Sequence, residues 1–228
     1  MALRPIYIPI NKHPFVKEIK IEFKWFAGFS IQQKQKSIDD LHRAFKKIEP
    51  STKPLEVSSK SDNELGVDLS AFNLKINIKN GNTVAVENLF QASKVFENGG
   101  PYKDLLYVSP LEAKRDFRLK NSGNLIKFKG KNKNWPTEPK TLYYDWIYIN
   151  ALHSNNHLRN LVLKYNSFTD IEFNPTKSFN CQARSAALYV SLTNLQEIER
   201  VIGSPDYYQK LMVPTTELQP IYFQDSLL

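Results

Sequence analysis

The amino-acid sequence predicts an α+β fold in which helices predominate and a small β-hairpin accompanies them. In residues 17–25 apolar side chains occupy alternate positions, which is typical of a half-buried strand. In residues 139–165 and 180–201 they recur instead at helical spacing. A chain of 228 residues that is 41% hydrophobic can build one packed core, so we expect one domain with appendages.

The N-terminal residues 1–54 are expected to form a strand-helix extension that packs on the main body. They contain the strand at 16–25 and a helix that Ser30 can cap. This unit is too small to fold alone. Residues 55–202 are then expected to form the main domain, and residues 203–228 an irregular C-terminal tail.

A β-hairpin is predicted at residues 74–86, where two alternating segments flank the tight-turn dipeptide Asn80-Gly81. The helix that follows is expected to run from residue 87 to the Asn-Gly-Gly-Pro sequence at 98–101. Further along the chain, the patterns predict a helix with a capping box at Ser109, an edge strand at 125–128, one long helix or two at 139–165, a short strand or loop at 168–173 and a final helix at 180–201.

The formal charge of +8 is unevenly distributed along the chain. Residues 114–140 contain nine Lys or Arg residues and two acidic ones. Phe117, Phe128 and Trp135 lie among them, and aromatic side chains between cations can stack on nucleic-acid bases. The segment therefore suits phosphate groups, and the alternative is a solubilising surface.

Several classes of protein are not indicated by the sequence. The N-terminus lacks the apolar core of a signal peptide, and no apolar run approaches the length of a membrane helix. Cys181 is the single cysteine and cannot form an internal disulfide bond, so we expect a cytoplasmic protein without membrane contact. His153 and His157 have helical spacing but no zinc-binding pattern around them, and neither a metal nor a cofactor is expected.

One polar line on the helix that begins near residue 87 suggests a site. Glu87, Gln91 and Lys94 follow one another at helical spacing, whereas most neighbouring side chains are apolar. A helix this apolar is expected to be largely buried, and buried charges are costly unless they are paired or used. The line is therefore either the wall of a pocket with a proton-transfer carboxylate, or a solvated face with weak Glu–Lys support.

Four sequence blocks resemble the signatures of the NADAR superfamily, the ADP-ribose-associated domains that include bacterial YbiA-type N-glycosidases. Residues 87–94, ENLFQASK, resemble the helix signature E-H-x-F-Q-A-x-K. The other blocks follow in the family's order: LSAF at 69–72 for F-S-N-F, SPLEAKR at 109–115 for S-P-x-x-A-x-R, and TDIEF at 169–173 for N-D-x-Y-W. The resemblance covers roughly residues 55–193 and implies a YbiA/NADAR-like fold.

The string SFNCQARSA at residues 178–186 and the N-terminal extension are most similar to the NADAR antitoxins encoded beside DarT-type toxins. Those toxins ADP-ribosylate guanine bases in DNA. The resemblance implies an antitoxin that hydrolyses the N-glycosidic bond and removes ADP-ribose from the base. It implies ADP-ribosylated DNA as substrate and partner, ADP-ribose as product, and a cognate DarT-type toxin as a further partner.

The resemblance and the chemistry of the bond assign roles to three residues. An oxocarbenium-like transition state needs negative charge near the sugar and a proton for the leaving nitrogen. Glu87 would stabilise the cation or serve as base for water. Lys94 would act as general acid or attack C1 as a Schiff-base amine, since a dry pocket lowers the pKa of an amine. Asp170 would hold the ribose hydroxyls or share the acid–base work.

The remaining candidates are expected to bind substrate. Arg115 and Arg118 suit the pyrophosphate, because a guanidinium matches phosphate oxygens, although either is equally a surface charge. Gln91 either fixes orientation or satisfies a neighbour. Ala71 replaces the family's loop Asn, with Asn73 nearby, and Glu172-Phe173 replace its Tyr-Trp pair. The full predicted substrate-binding set is Ser70, Phe72, Asn73, Gln91, Arg115, Arg118, Trp135, Glu172 and Phe173.

Three other functions remain open from the sequence. A YbiA-type N-glycosidase would act on a small riboflavin-pathway metabolite, against which the basic segment argues mildly. A non-catalytic module would bind ADP-ribose without cleaving a bond. A basic structural protein would bind a partner only. Turnover separates the enzymes from the other two classes.

Overall fold

The computed structural model describes residues 1–78, 81–176 and 178–213. The first residue of the predicted Asn80-Gly81 turn and most of the predicted C-terminal tail lie outside the described residues. The described part is α+β, as predicted, with helices and three small sheets. Its strands are β1 (Ala2–Pro9), β2 (Val16–Phe23), β3 (Pro54–Glu56), β4 (Lys75–Asn77), β5 (Thr83–Ala85), β6 (Lys94–Phe96), β7 (Leu125–Lys129), β8 (Asn134–Trp135) and β9 (Ser167–Thr169).

The helices account for most of the regular structure, and a short 3₁₀ turn at Lys103–Tyr107 accompanies them. They are α1 (Ile31–Ile48), α2 (Glu64–Asp68), α3 (Val86–Ala92), α4 (Pro110–Arg115), α5 (Arg118–Asn121), α6 (Leu142–Ser154), α7 (Asn156–Val162), α8 (Gln182–Asn194), α9 (Ile198–Gly203) and α10 (Pro205–Met212).

The largest sheet has the strand order β2-β1-β9-β3 and joins the N-terminal hairpin to strands from later in the chain. The hairpin β1–β2 is antiparallel and pairs through Tyr7 with Phe168 of β9. β3 then pairs in parallel with β9, with Leu55 opposite Phe168. Both Leu55 and Phe168 are almost completely buried, so this junction belongs to the hydrophobic core.

Helix α1 covers one side of this sheet. Ser30 caps it as predicted by accepting a hydrogen bond from the amide of Gln33. Ile38, Leu41 and Phe45 follow helical spacing and are buried against the sheet's apolar side chains. The chain before residue 54 thus shares a sheet with later strands, and the division at residue 54 stays a prediction.

Helices α6 and α8 form the centre of the main core. Most of α6 is buried, as expected for a helix that is apolar around its circumference. Asp145 on α6 accepts a hydrogen bond from Ser185 at 2.6 Å and pairs with Arg184, both on α8, so the buried carboxylate is satisfied. This contact fixes the N-terminal end of α8, which contributes to the site described below.

Helix α3 is shorter than predicted. It ends at Ala92, and Lys94 begins β6, which pairs with β7. The long-range pairing of Lys94 with Phe128 takes the backbone out of the helix before the Asn-Gly-Gly-Pro sequence is reached. The prediction that Glu87, Gln91 and Lys94 share one helical face is therefore wrong for Lys94.

Other element predictions also need correction. β7 is the central strand of the sheet β6-β7-β8, not an edge strand, because β6 comes from a distant segment and β8 follows after a short loop. The helix predicted after Ser109 is short, because α4 ends at Arg115 and Arg118 lies in the separate helix α5. The final helix is interrupted after α8, where Gln196 has φ 59°, and the predicted irregular tail includes α10.

Two predictions for helices are confirmed in detail. The capping box of α4 forms, with reciprocal hydrogen bonds between Ser109 and Glu112. The segment 139–165 contains two helices, α6 and α7, and Asn155 caps the second by accepting a hydrogen bond from Leu158.

Candidate functional site

A cleft of about 470 Å³ opens where α3, the loop after α2, the chain after β9 and the start of α8 meet. Its size lies within the usual range for small-molecule sites. Glu87, Lys94 and Asp170 all line it, although they come from three different elements. Its wall consists of Ser58, Ser59, Ser70, Phe72, Glu87, Phe90, Gln91, Lys94, Lys114, Tyr144, Asp170, Glu172, Phe173, Asn174, Ser178, Asn180 and Gln182.

Helix α3 presents a carboxylate and an amide to the cleft. Glu87 is 5% exposed and Gln91 is 6% exposed, so neither belongs to a solvated face. The Gln91 amide nitrogen donates a hydrogen bond of 2.8 Å to the Glu87 carboxylate. The backbone amide of Glu87 donates to the carbonyl oxygen of Ala71, which ties α3 to the loop at residues 69–74. The interpretation of this line as a pocket wall therefore agrees with its burial.

Lys94 reaches the same cleft from the first position of β6. Its ammonium group lies 4.7 Å from the centroid of the Phe90 ring. Desolvation lowers the pKa of Lys94 to about 8, and Lys114 acts in the same direction while the Glu87 carboxylate opposes it. A substantial fraction of this amine is therefore neutral at slightly alkaline pH, which is the form required for nucleophilic attack.

Asp170 faces the cleft directly after the central strand β9. One carboxylate oxygen accepts backbone hydrogen bonds from Glu172 at 3.0 Å and Phe173 at 3.1 Å. The other lies 4.0 Å from the sulfur of Cys181. Burial, and then the nearby Glu56, raise the pKa of Asp170 to about 8. Asp170 can therefore keep a proton near neutral pH and donate it.

The predicted binding residues on the cleft wall are Ser70, Phe72, Gln91, Glu172 and Phe173. Within the described residues, the buried Ser70 hydroxyl and Gln91 side-chain oxygen have no hydrogen-bond partner. Lys114 lies over the Phe72 ring at 5.3 Å and adds positive charge at the same wall. Buried polar groups without protein partners are suited to a polar ligand.

Four predicted binding residues do not line the cleft. Asn73 donates to the carbonyl oxygen of Val67 and holds its own loop. Arg115 is exposed at the end of α4, and Arg118 is held by Asp104 and Asp116. Trp135 is 2% exposed and packs on aromatic side chains of α6, so it belongs to the core.

Other wall residues were not among the predicted site residues, and they include Ser58, Lys114, Tyr144, Asn180 and Gln182. Gln182 accepts a hydrogen bond of 2.7 Å from the Ala71 amide, so it orients the loop that contains Ser70. Asn180 and Gln182 lie within the string that most resembles the DarT-associated branch, and that string was the signal for both. Tyr144 lies among the buried tyrosines of α6, so the sequence offers no signal that distinguishes it from the core.

A model of the family described as DarT1-associated NADAR antitoxin matches residues 2–220. The chain belongs to this family. The match begins within the N-terminal hairpin, so β1, β2 and α1 lie inside the matched region of this antitoxin. No curated protein matches the antitoxin. None of its helices in the described residues is long and apolar enough to cross a membrane.

Proposed function

We propose that this NADAR antitoxin is an N-glycosidase that removes ADP-ribose from ADP-ribosylated guanine in DNA and so reverses the modification made by a cognate DarT-type toxin. One observation carries the proposal: Glu87, Lys94 and Asp170 line a single cleft in a chain of a DarT1-associated family. A carboxylate, an amine with a lowered pKa and a protonated acid are the groups that cleavage of this bond requires.

The chemistry assigns a separate task to each group. Glu87 stabilises the positive charge that develops on the sugar. The neutral amine of Lys94 bonds to C1 as the bond between C1 and the base nitrogen breaks. The ring bond from C1 to oxygen then opens as the new ammonium group passes a proton to the ring oxygen, which gives a Schiff base. The base leaves with a proton from Asp170. Water then hydrolyses the Schiff base, which releases ADP-ribose and returns the amine.

The cleft wall supplies complementary groups for a nucleotide sugar. The partnerless polar atoms of Ser70, Gln91 and Asn180, within the described residues, suit hydroxyl groups of ribose. Phe72 and Phe173 offer apolar surface, and Lys114 offers charge for a phosphate group. Because Arg118 is already paired with two carboxylates, Lys114 replaces it as our candidate for the pyrophosphate.

The DNA is expected to lie along the surface beside α4. Tyr107, Leu111 and Phe117 are 73%, 45% and 70% exposed there, close in sequence to Lys114 and Arg115. Exposed aromatic and basic side chains together suit unpaired bases and phosphates. Phe128 and Trp135 are buried, so of the three aromatic residues predicted to stack on bases only Phe117 is available.

Time-dependent release of free ADP-ribose tests this function. DNA that carries ADP-ribose on guanine is incubated with the antitoxin, and products are separated by chromatography. Multiple turnovers with recovery of unmodified DNA are expected. Stoichiometric binding without release would indicate a reader, and faster cleavage of a small riboflavin-pathway metabolite than of DNA would indicate a YbiA-type enzyme.

A further inference from the structure

A further buried carboxyl group, that of Glu56, lies behind the cleft and takes no part in the mechanism proposed above. Glu56 is the last residue of β3 and is 1% exposed. It does not line the cleft. A buried carboxylate is costly unless its hydrogen bonds are satisfied or its charge is used, so its presence requires an explanation.

Glu56 holds the two residues that flank Asp170. One of its oxygens accepts a hydrogen bond of 2.8 Å from the backbone amide of Ile171. The other accepts one of 2.6 Å from the hydroxyl of Thr169, its partner in the parallel pairing of β3 with β9. Asp170 lies between these two anchors, so Glu56 determines how the backbone presents Asp170 to the cleft.

His42 of α1 extends this network. Its Nε2 atom lies 2.8 Å from the Thr169 hydroxyl oxygen. The hydroxyl has one proton and donates it to Glu56, so Nε2 of His42 must be the donor in the second contact. Desolvation lowers the pKa of His42 to about 4, so the ring is neutral and its tautomer is fixed at neutral pH.

The hydrogen bonds around Glu56 and Asp170 favour ionisation of one of the two carboxyl groups over the other. Burial raises the pKa of Glu56, but hydrogen bonds from Ile171, Ser58 and Thr169 oppose this. Glu56 is among the causes that raise the pKa of Asp170 to about 8. Two interacting carboxyl groups in a buried site do not both ionise readily. Both oxygens of Glu56 accept a hydrogen bond, whereas one oxygen of Asp170 meets, among the described residues, only the Cys181 sulfur at 4.0 Å and has room for a proton. Glu56 is therefore the anion of the pair.

We propose that Glu56 is a positioning residue that fixes Asp170 at the cleft wall and keeps the proton of the pair on the Asp170 carboxyl group. The inference rests on the proposed function, in which that proton passes to the leaving base. The other charged and titratable groups around the pair do not take over this role of Glu56. Lys114 favours ionisation of Asp170. The remaining titratable neighbours are Glu172, the thiol of Cys181 and the phenols of Tyr144 and Tyr148.

Glu56→Gln tests the inference through the pH dependence of kcat. The substitution keeps the shape of the side chain and removes its charge. The alkaline limb of the kcat profile is therefore expected to shift to lower pH by at least about one pH unit. The affinity for ADP-ribose is expected to stay within about twofold, because Glu56 does not line the cleft. Glu22→Gln, on the exposed edge of β2, is the matched control and should keep the wild-type profile. A wild-type alkaline limb in Glu56→Gln would overturn the inference.

Carbon-13 NMR of the side-chain carboxyl groups gives a second measurement that needs neither activity nor a folded Glu56 variant. In the wild type, the signal that Asp170→Asn removes should titrate near pH 8, with a smaller step where Glu56 ionises. A single step near pH 4 would overturn the inference. If the wild type releases no ADP-ribose while the two-step titration is present, the proposed function fails and the coupling between Glu56 and Asp170 stands.

Discussion

The Gln91 amide donates a 2.8 Å hydrogen bond to the Glu87 carboxylate one helical turn away, and both side chains are buried at the same cleft. This contact fixes the position of the carboxylate before substrate arrives. A hydrogen bond to a charged group is worth more than one between neutral groups, so its loss should be measurable in catalysis.

Gln91→Leu removes this donor while it keeps a side chain of similar length. We expect kcat to fall by about 10- to 100-fold, because Glu87 loses the group that orients it. Gln33→Leu, on α1 and outside the cleft wall, is the control. Steady-state release of ADP-ribose measures both, and an unchanged kcat in Gln91→Leu would assign Gln91 a packing role only.

The pH profile of kcat should be bell-shaped with its optimum near pH 8. Lys94 must lose a proton to act as an amine, which produces the acid limb, and Asp170 must keep one, which produces the alkaline limb. The pKa of each group is shifted to about 8. Borohydride should trap a sugar adduct on the wild type and none on Lys94→Met. A profile without an acid limb, together with no trapped adduct, would exclude attack by Lys94.

Asp170→Asn should stabilise the fold at neutral pH while it reduces activity. A carboxyl group whose folded pKa is raised binds its proton more tightly in the folded state, so its contribution to stability falls as pH rises from about 4 to about 8. Asn cannot ionise, so the variant does not lose stability in this way as the pH rises. We expect a gain of roughly 1–2 kcal/mol at pH 7.5 and none near pH 4.

Urea denaturation at the two pH values measures the stability of both proteins. Glu49→Gln, an exposed site after α1, should show no comparable dependence on pH. Equal stability of wild type and Asp170→Asn across the pH range would mean that Asp170 is not held in its protonated form.

The sequence predicted the elements whose signals are local. Ser30 and Ser109 cap their helices as expected, because a capping residue and its partner lie within one turn of each other. Glu87 and Gln91 occupy the same face of α3 for the same reason. These contacts depend on spacing of three or four residues, which a single sequence displays directly.

Long-range pairing explains what the sequence did not predict. Lys94 leaves the helix because β6 pairs with β7, some thirty residues away. β1 contains Pro5 and Pro9 and has no clear alternation, so its pairing with β2 and β9 was missed. The role of Glu56 depends on β3 and β9, which are separated by more than one hundred residues. Such contacts are set by the packed fold.

Phe117→Ala should weaken binding to single-stranded DNA without affecting the cleft. The side chain is 70% exposed, and loss of one stacking aromatic is expected to cost about 1–3 kcal/mol of binding free energy. Phe29→Ala is the matched control, because Phe29 is 99% exposed in the segment before α1 and does not line the cleft. Fluorescence anisotropy with labelled oligonucleotides measures both. Equal weakening in the two variants would argue against a specific surface beside α4.

Single-turnover cleavage of DNA that carries ADP-ribose on guanine, compared between the wild type and Glu87→Gln, tests the central claim most directly. Gln keeps the size of the side chain but removes the negative charge that stabilises the developing cation, so the rate should fall at least about 100-fold. Circular dichroism and ADP-ribose affinity should be unchanged. Cleavage by Glu87→Gln at the wild-type rate would contradict the account.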